Sequence, residues 1–165
     1  MKKAVFLDRD GTLNSDKGHY YIYRPEDFVL NEGVVEGLKL LQENGFLLVV
    51  VTNQGGVAKG VYTEKEVEKV HQKMCALLEK EGVNLTAIYY CPHHDSVATC
   101  NCRKPKSGML EKAIEEYDLE VTKCYMIGDS ERDMEAAARV GIKAFKIAKN
   151  TSIIEVCKQI IQNED

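Results

Sequence analysis

Five short apolar runs recur along the chain, at 4–7, 46–51, 87–90, 124–127 and 144–147. They show little polar alternation, the pattern of parallel strands covered on both faces. Between them the apolar positions change to helical spacing. Val34, Leu38 and Leu41 form one stripe, and Val67, Val70, Met74, Leu77 and Leu78 a second. Leu110, Ala113, Ile114 and Tyr117 form a third, Met134, Ala137 and Ala138 a fourth, and Ile153, Val156, Cys157, Ile160 and Ile161 a fifth. Each stripe predicts an amphipathic helix with one face on a core. Gly45, Gly82 and Gly141 follow three of these segments as helix stops, and Thr63 precedes Glu66 at capping-box spacing. Five strands alternating with five helices predict an α/β fold: a doubly wound, Rossmann-like parallel sheet with helices on both faces. Two stretches fit no element, 9 to about 32 and 91 to about 107. Long loops in a compact domain are usually functional.

Composition narrows the class. The chain has 165 residues, 44% hydrophobic, which suits one domain over 1–165 with its own core. That length leaves no room for a large cap domain over an active site. An ordinary apolar fraction with a net charge of only −4 excludes a mainly disordered chain, and a pI near 5.6 argues against a nucleic-acid partner, which favours a basic excess. The longest apolar run falls far short of the roughly 20 residues of a membrane span. The start, Met1-Lys2-Lys3 with a four-residue apolar run and then Asp8, has no signal-peptide core. A reducing, cytoplasmic location is therefore expected, and there clustered cysteines read as metal ligands before disulfides. Cys91, Cys100 and Cys102 are clustered; Cys75, Cys124 and Cys157 sit in apolar patterns and read as small buried hydrophobes.

Candidate chemistry gathers at strand ends. The first strand runs into Asp8-Arg9-Asp10-Gly11-Thr12. An aspartate ending a buried strand lies at the carboxyl edge of the sheet, where open α/β folds bind ligands. Asp8 and Asp10, two apart, project the same way in extended chain. Paired carboxylates hold a hard cation or divide into nucleophile and acid/base. The second strand ends at Thr52, before Asn53-Gln54-Gly55-Gly56, a hydroxyl and turn able to donate to a phosphoryl oxygen. The fourth ends in Gly128-Asp129, with Asp133 one helical turn on. Asp129 completes a cation site with Asp8, or merely favours a helix start.

A second constellation is Cys91-Pro92-His93, six residues, then Cys100-Asn101-Cys102. Four soft ligands closing one loop suit tetrahedral Zn²⁺, and four protein ligands make the site structural. His93 is preferred over His94 because Cys-x-His mirrors Cys-x-Cys. The metal replaces the core that such a loop lacks, and it holds Arg103 and Lys104 behind Cys102.

Taken together, Asp8-Arg9-Asp10-Gly11-Thr12, Thr52, Lys104 and Gly128-Asp129 resemble the haloacid dehalogenase (HAD) superfamily of aspartyl phosphotransferases, in the right order across the whole chain. The resemblance implies Asp8 as the nucleophile that forms an aspartyl-phosphate and Asp10 as the acid and then the base. It implies Mg²⁺ held by the Asp8 carboxylate, the Asp10 backbone carbonyl and Asp129. Thr52 and Lys104 hold phosphoryl oxygens, and Arg9 points away from them. The zinc loop followed by Arg103-Lys104-Pro105 is similar to the histidinol-phosphatase/heptose-bisphosphate phosphatase group of small HAD enzymes. Thr-Asn-Gln-Gly-Gly-Val-Ala-Lys-Gly at 52–60 and the Asp16-x-Gly18 loop favour the heptose branch. The implied reaction removes the 7-phosphate of D-glycero-D-manno-heptose 1,7-bisphosphate, on the route to nucleotide-activated heptose and lipopolysaccharide. The implied substrate contacts are Asp16, Lys17, Gly18, His19, Asn53, Gln54, Gly55 and Arg103. The expected partner is this small sugar bisphosphate, bound by a monomer.

The chain departs from the group at Gly18-His19-Tyr20, where Gly-Tyr-Val is frequent, at Ser130, where Lys is frequent, and in the shortness of the zinc loop. These departures touch sugar and second-phosphate contacts, not the phosphoryl-transfer residues. Histidinol phosphate is the second substrate reading. More distant readings are a polynucleotide 3′-phosphatase and a zinc-containing nucleic-acid-binding module, and both need a basic groove. The tyrosine-rich stretch 20–30 is either a surface loop on the sheet edge or a partial lid.

Overall fold

In a computed structural model, residues 1–163 are described. The strands are β1 (Ala4–Leu7), β2 (Leu47–Asn53), β3 (Ala87–Cys91), β4 (Tyr125–Gly128) and β5 (Lys143–Lys146). The helices are α1 (Val34–Glu43), α2 (Glu64–Glu79), α3 (Gly108–Tyr117), α4 (Glu131–Arg139) and α5 (Ile154–Gln162). The sheet is parallel throughout in the order β3-β2-β1-β4-β5, so the chain reverses its winding at β1. That reversal opens a crevice at the carboxyl ends of the central strands.

Alternation within each buried strand divides the core in two. Val5 and Leu7 point with Leu48, Val50 and Ile127 toward α1, α2 and α5. Ala4 and Phe6 point with Val49, Val51 and Met126 toward α3 and α4. Both faces of β1 are therefore fully buried. Burying a large aliphatic or aromatic side chain contributes about 1.5–3 kcal/mol, and the central strands concentrate that gain beneath the site. The outer strands are less covered than their apolar sequence suggests. β3 is mostly half-buried, and Lys143 and Lys146 of β5 are exposed. An edge strand has a neighbour on one side only.

Thr63 and Glu66 form the expected capping box on α2: Thr63 Oγ accepts from the Glu66 N–H at 3.2 Å and Glu66 Oε1 from the Thr63 N–H at 3.0 Å. The stretch at 9–32 is a loop, but an anchored one. Leu13, Ile22 and Phe28 are buried in the core on the α1 side, and Asn14 bridges to Leu30. Of the three cysteines read as buried hydrophobes, Cys124 and Cys157 are buried, while Cys75 is only half-buried. No helix among the described residues is long and apolar enough to cross a membrane.

Candidate active site

Register sets the site. Leu7 of β1 pairs with Val50 of β2 and Ile127 of β4, so the residues just beyond them emerge together at the crevice. Asp8, Asp129 and Asp133 lie there with carboxylate oxygens within 4.8 Å of one another. Lys104 reaches in from the loop before α3. Its Nζ lies 2.8 Å from Asp8 Oδ1, 2.6 Å from Asp133 Oδ1 and 2.8 Å from the Val51 carbonyl. Lys104 is only 3% exposed. Burial opposes its charge, yet Asp8 and Asp133 together drive its pKa well above the ordinary lysine range. Burial raises the Asp8 carboxyl to about 7 against the pull of Lys104, and the adjacent Asp129 adds to the rise. Three carboxylates against one ammonium leave an excess of negative charge, the donor set of a hard divalent cation. Gly11, at φ +88°, turns the chain beside this group; a Cβ there would lie 2.5 Å from Asp129 Oδ2. Asp133 joins the cluster and also caps α4, accepting from the Ser130 N–H at 3.2 Å.

Asp10 is held apart from that cluster. Arg9, completely buried, donates from Nε and Nη2 to its two oxygens at 3.0 Å each. Asn14 Nδ2 donates at 3.0 Å and Gln54 Nε2 at 3.2 Å. Burial alone would raise the Asp10 pKa, but the Arg9 guanidinium and these donors hold it below the usual carboxylate range. Arg9 also donates to the Ile22 carbonyl at 2.8 Å and lies 3.1 Å from His71 Nε2. It is thus directed into the protein, where it fixes Asp10 and the following loop.

The second constellation also assembles. The ligand atoms of Cys91, His93, Cys100 and Cys102 lie within 4.8 Å of one another. His93 Nδ1 is 3.4 Å from Cys91 Sγ and 3.3 Å from Cys102 Sγ, and Cys91 and Cys100 are 3.6 Å apart. Zn–S bonds of about 2.3 Å in a tetrahedron place sulfurs roughly 3.8 Å apart, so the group is compatible with zinc once Cys91 and Cys102, 2.7 Å apart here, spread by about 1 Å. Backbone N–H donors from Arg103 and Cys102 outweigh burial and draw Cys100 down to about 7, which favours the thiolate. His94 is not in the group: its Nδ1 lies 2.7 Å from Ser96 Oγ. The loop is tied to the catalytic edge through Asn53. That side chain donates to the Lys104 carbonyl at 3.1 Å and accepts from the Lys104 N–H at 2.9 Å.

These residues line a two-lobed cleft. An inner lobe of about 280 Å³ holds Asp8, Thr52, Lys104, Asp129, Ser130 and Asp133. An outer lobe of about 310 Å³ holds Asp16, His19, Tyr20, Tyr21, Gln54, Gly55, Tyr62, His94 and Arg103. Asp10, Asn53, Arg132 and Lys149 border both. Gly55 lets the Arg103 and His94 side chains approach closely: a Cβ there would lie 2.8 Å from Arg103 Nη1 and 2.9 Å from His94, and both would have to shift. Asp16 reaches the cleft but is engaged: Lys149 Nζ is 2.8 Å from one of its oxygens, and Asn150 Nδ2 is 3.0 Å from the other. Lys17 and Gly18 are not brought to the cleft. The His19 N–H closes a tight turn onto the Asp16 carbonyl at 3.0 Å, and the two intervening residues project outward. Of the tyrosine-rich stretch, Tyr21 and Tyr23 pack on Tyr62 with ring centroids 5.5 and 5.2 Å apart, while Tyr20 is 86% exposed at the rim.

Sequence reasoning missed Arg132, Lys149, Tyr62 and His94 as cleft residues, and Asn150 as an anchor of Asp16. Each comes from an element whose own pattern is ordinary. The one available signal was the Ser130 departure, which left an anion-binding cleft short of a cation.

The model for the polynucleotide kinase 3 phosphatase family matches residues 3–153. A D-glycero-beta-D-manno-heptose-1,7-bisphosphate 7-phosphatase of Haemophilus ducreyi is 45% identical over 86% of this chain and 80% of its own length. The same-named protein of Pasteurella multocida is 42% identical over 99% of this chain and 87% of its own length. Among solved structures, a D,D-heptose 1,7-bisphosphate phosphatase from B. bronchiseptica, complexed with magnesium and phosphate, superposes with a TM-score of 0.87 at 28% identity, covering 99% of each chain. A putative HAD-like phosphatase from Mesorhizobium loti gives 0.88 at 27% identity, over 98% of this chain and 87% of its own. With that sheet order, those strand-end aspartates and these relatives, the chain belongs to the HAD-like phosphatases: the polynucleotide kinase 3 phosphatase model spans most of it, and heptose-bisphosphate 7-phosphatases are its relatives at 42–45% identity.

Proposed function

We propose that this chain is a Mg²⁺-dependent phosphoric monoester hydrolase that removes the 7-phosphate of D-glycero-D-manno-heptose 1,7-bisphosphate. The observation that carries the reading is the two-lobed cleft, with Asp8 and Lys104 in one lobe, Arg103 in the other, and Arg132 and Lys149 between them. Two anion-binding regions in one continuous cleft suit a small substrate with a phosphate at each end. The names of the relatives at 42–45% identity favour the heptose substrate over histidinol phosphate. The cleft cations are balanced by Asp8, Asp10, Asp16, Asp129 and Asp133, a charge balance that suits a small substrate better than a polynucleotide.

Asp8 attacks phosphorus, and the ester P–O bond breaks as the Asp8 Oδ–P bond forms. The leaving alcohol takes a proton from Asp10. In the free protein Asp10 is a carboxylate; a dianionic phosphate beside it raises its pKa by like-charge repulsion and lets it carry that proton. Asp10 then accepts a proton from water, whose oxygen attacks the aspartyl-phosphate, releasing inorganic phosphate and regenerating Asp8. Lys104 exchanges its contact with Asp8 for phosphoryl oxygens, while Asp133 keeps its ammonium in place. Thr52 donates its hydroxyl to a third oxygen. The Asp8 and Asp129 carboxylates and the Asp10 carbonyl would hold Mg²⁺, which would supply the charge neutralisation that attack by an anion on an anion requires. Cys91, His93, Cys100 and Cys102 would hold zinc, which would secure the loop that delivers Arg103 and Lys104. A cytoplasmic location belongs to this reading, because thiols clustered for a metal suit a reducing compartment.

Phosphate release with Mg²⁺ from the heptose bisphosphate and from histidinol phosphate tests the reading. A strong kcat/KM preference for the bisphosphate is expected, with Asp8→Asn slower by roughly three orders of magnitude. Activity surviving Asp8→Asn, or a preference for histidinol phosphate, would overturn it.

A further inference from the structure

Gln54 lines the cleft, yet only 2% of it is exposed and its amide is fully committed inside the protein. Nε2 lies 3.2 Å from Asp10 Oδ2 and 2.9 Å from Thr52 Oγ1, and Oε1 lies 2.6 Å from the Tyr62 hydroxyl. The chemistry fixes the direction of each bond. An ionised carboxylate only accepts, so the group facing Asp10 is the amide nitrogen. The amide oxygen then faces Tyr62, which donates. Burial pushes the Tyr62 pKa well above the ordinary phenol range, so that proton stays on the ring oxygen. Tyr62 is itself 4% exposed and clamped between Tyr21 and Tyr23. Its hydroxyl has no freedom to swing away. The backbone of Gln54 is equally held, its N–H donating to the Cys91 carbonyl at 2.8 Å.

The last member of the chain is the informative one. Thr52 Oγ1 accepts from Gln54, so its own proton points elsewhere. Its present acceptor is the Asn53 carbonyl at 3.4 Å, a weak bond. We infer that Gln54, locked by Tyr62, is a positioning residue that aims the Thr52 hydroxyl proton into the inner lobe and steadies Asp10, rather than a contact for the sugar. The inference rests on the proposed phosphatase reading, in which Thr52 donates to a phosphoryl oxygen. It gives Tyr62, almost wholly buried under the loop at 20–30, a role in the reaction.

The test compares Gln54→Met, Tyr62→Phe and Thr52→Ala, singly and in pairs, on two substrates: the heptose bisphosphate and p-nitrophenyl phosphate, which has no second phosphate and no sugar. Loss of one aiming hydrogen bond is worth about 1 kcal/mol, so kcat for Gln54→Met should fall roughly fivefold to tenfold. KM should stay within about twofold, with the same fold-loss on both substrates. Tyr62→Phe should lower kcat less, and should have no further effect in the Gln54→Met background. Gln54→Met should cost less in the Thr52→Ala background than alone. A KM increase confined to the bisphosphate would make Gln54 a sugar contact and overturn the inference. So would fully additive losses in both cycles. Tyr62→Phe keeps the ring and its stacking, so it decides the question even where Gln54→Met fails to fold. Wild-type turnover of p-nitrophenyl phosphate without turnover of the bisphosphate would overturn the substrate reading and leave this one standing.

Discussion

Two residues show how closely side-chain identity is set around the cleft. Gly11 combines φ +88° with a wall only 2.5 Å from where a Cβ would stand, and that wall is Asp129. Gly11→Ala should therefore destabilise by about 1–3 kcal/mol and weaken Mg²⁺ binding, read by thermal melting with and without the ion. A melt unchanged in both conditions would contradict this account. His71 is held neutral: burial first, then Arg9, push its pKa down to about 3 from the ordinary 6.5. A histidine whose folded pKa is depressed takes no proton in the fold while the unfolded chain does. Stability is thus unaffected above pH 6.5 and falls as pH drops from there toward 3, by up to about 1.4 kcal/mol per pH unit. Urea unfolding of the protein and of His71→Gln at pH 7 and pH 5 checks the sign. The pH 5 loss should shrink in the variant, and an equal loss in both would remove His71 as its source.

Among the elements, α2 and the zinc loop are secured by different means. α2 begins with a capping box and has an apolar face of Val67, Val70, Met74 and Leu78. Thr63→Ala should cost about 1 kcal/mol, visible as a lower denaturant midpoint with kcat unchanged. The loop between β3 and α3 has no such face, and among its described residues the thiol and imidazole group is the main internal anchor. Stripping zinc, or Cys100→Ala, should lower both the melting temperature and kcat, because Arg103 and Lys104 lose their support. Zinc-free protein with an intact melting temperature would show the cluster to be incidental. The two metals should separate in time. Brief chelation should abolish turnover, and added Mg²⁺ should restore it fully while zinc stays bound.

At the scale of the whole molecule, the described residues form no separate cap over the cleft, so its walls are the loops around it. The outer lobe is walled by the loop at 16–30, the turn after β2 and the zinc loop, three segments anchored by unrelated means. Leu13, Ile22 and Phe28 hold the first in the core. The Gln54 N–H and Ala58 N–H, bonded to the Cys91 and Pro92 carbonyls at 2.8 and 3.1 Å, join the second to the third. The walls are thus tied to the fold by contacts of the protein itself, which suits the small substrate proposed above. Arg132, at the boundary of the two lobes, is well placed for the second phosphate where Ser130 replaces the frequent lysine. Arg132→Ala should raise KM for the bisphosphate severalfold and leave p-nitrophenyl phosphate unaffected. Equal effects on both substrates would place Arg132 outside substrate recognition.

The sequence by itself determined the alternation of strands and helices, the strand-end positions of Asp8, Thr52 and Asp129, and the Cys-x-His and Cys-x-Cys pairs. These are local facts: periodicity, turn residues and short spacings act through the backbone of one segment. Only the tertiary structure decided what meets across segments. Parallel register placed Asp133 and Lys104 against Asp8, and a buried arginine next to Asp10 took that carboxylate out of the cation cluster. Lys149 and Asn150 converged on Asp16 from 134 residues away in sequence for Asn150. Tyr62 met Gln54 through a turn whose sequence carries no sign of it. Such contacts depend on how layers pack and which strand lies at the switch point, and no single segment encodes either.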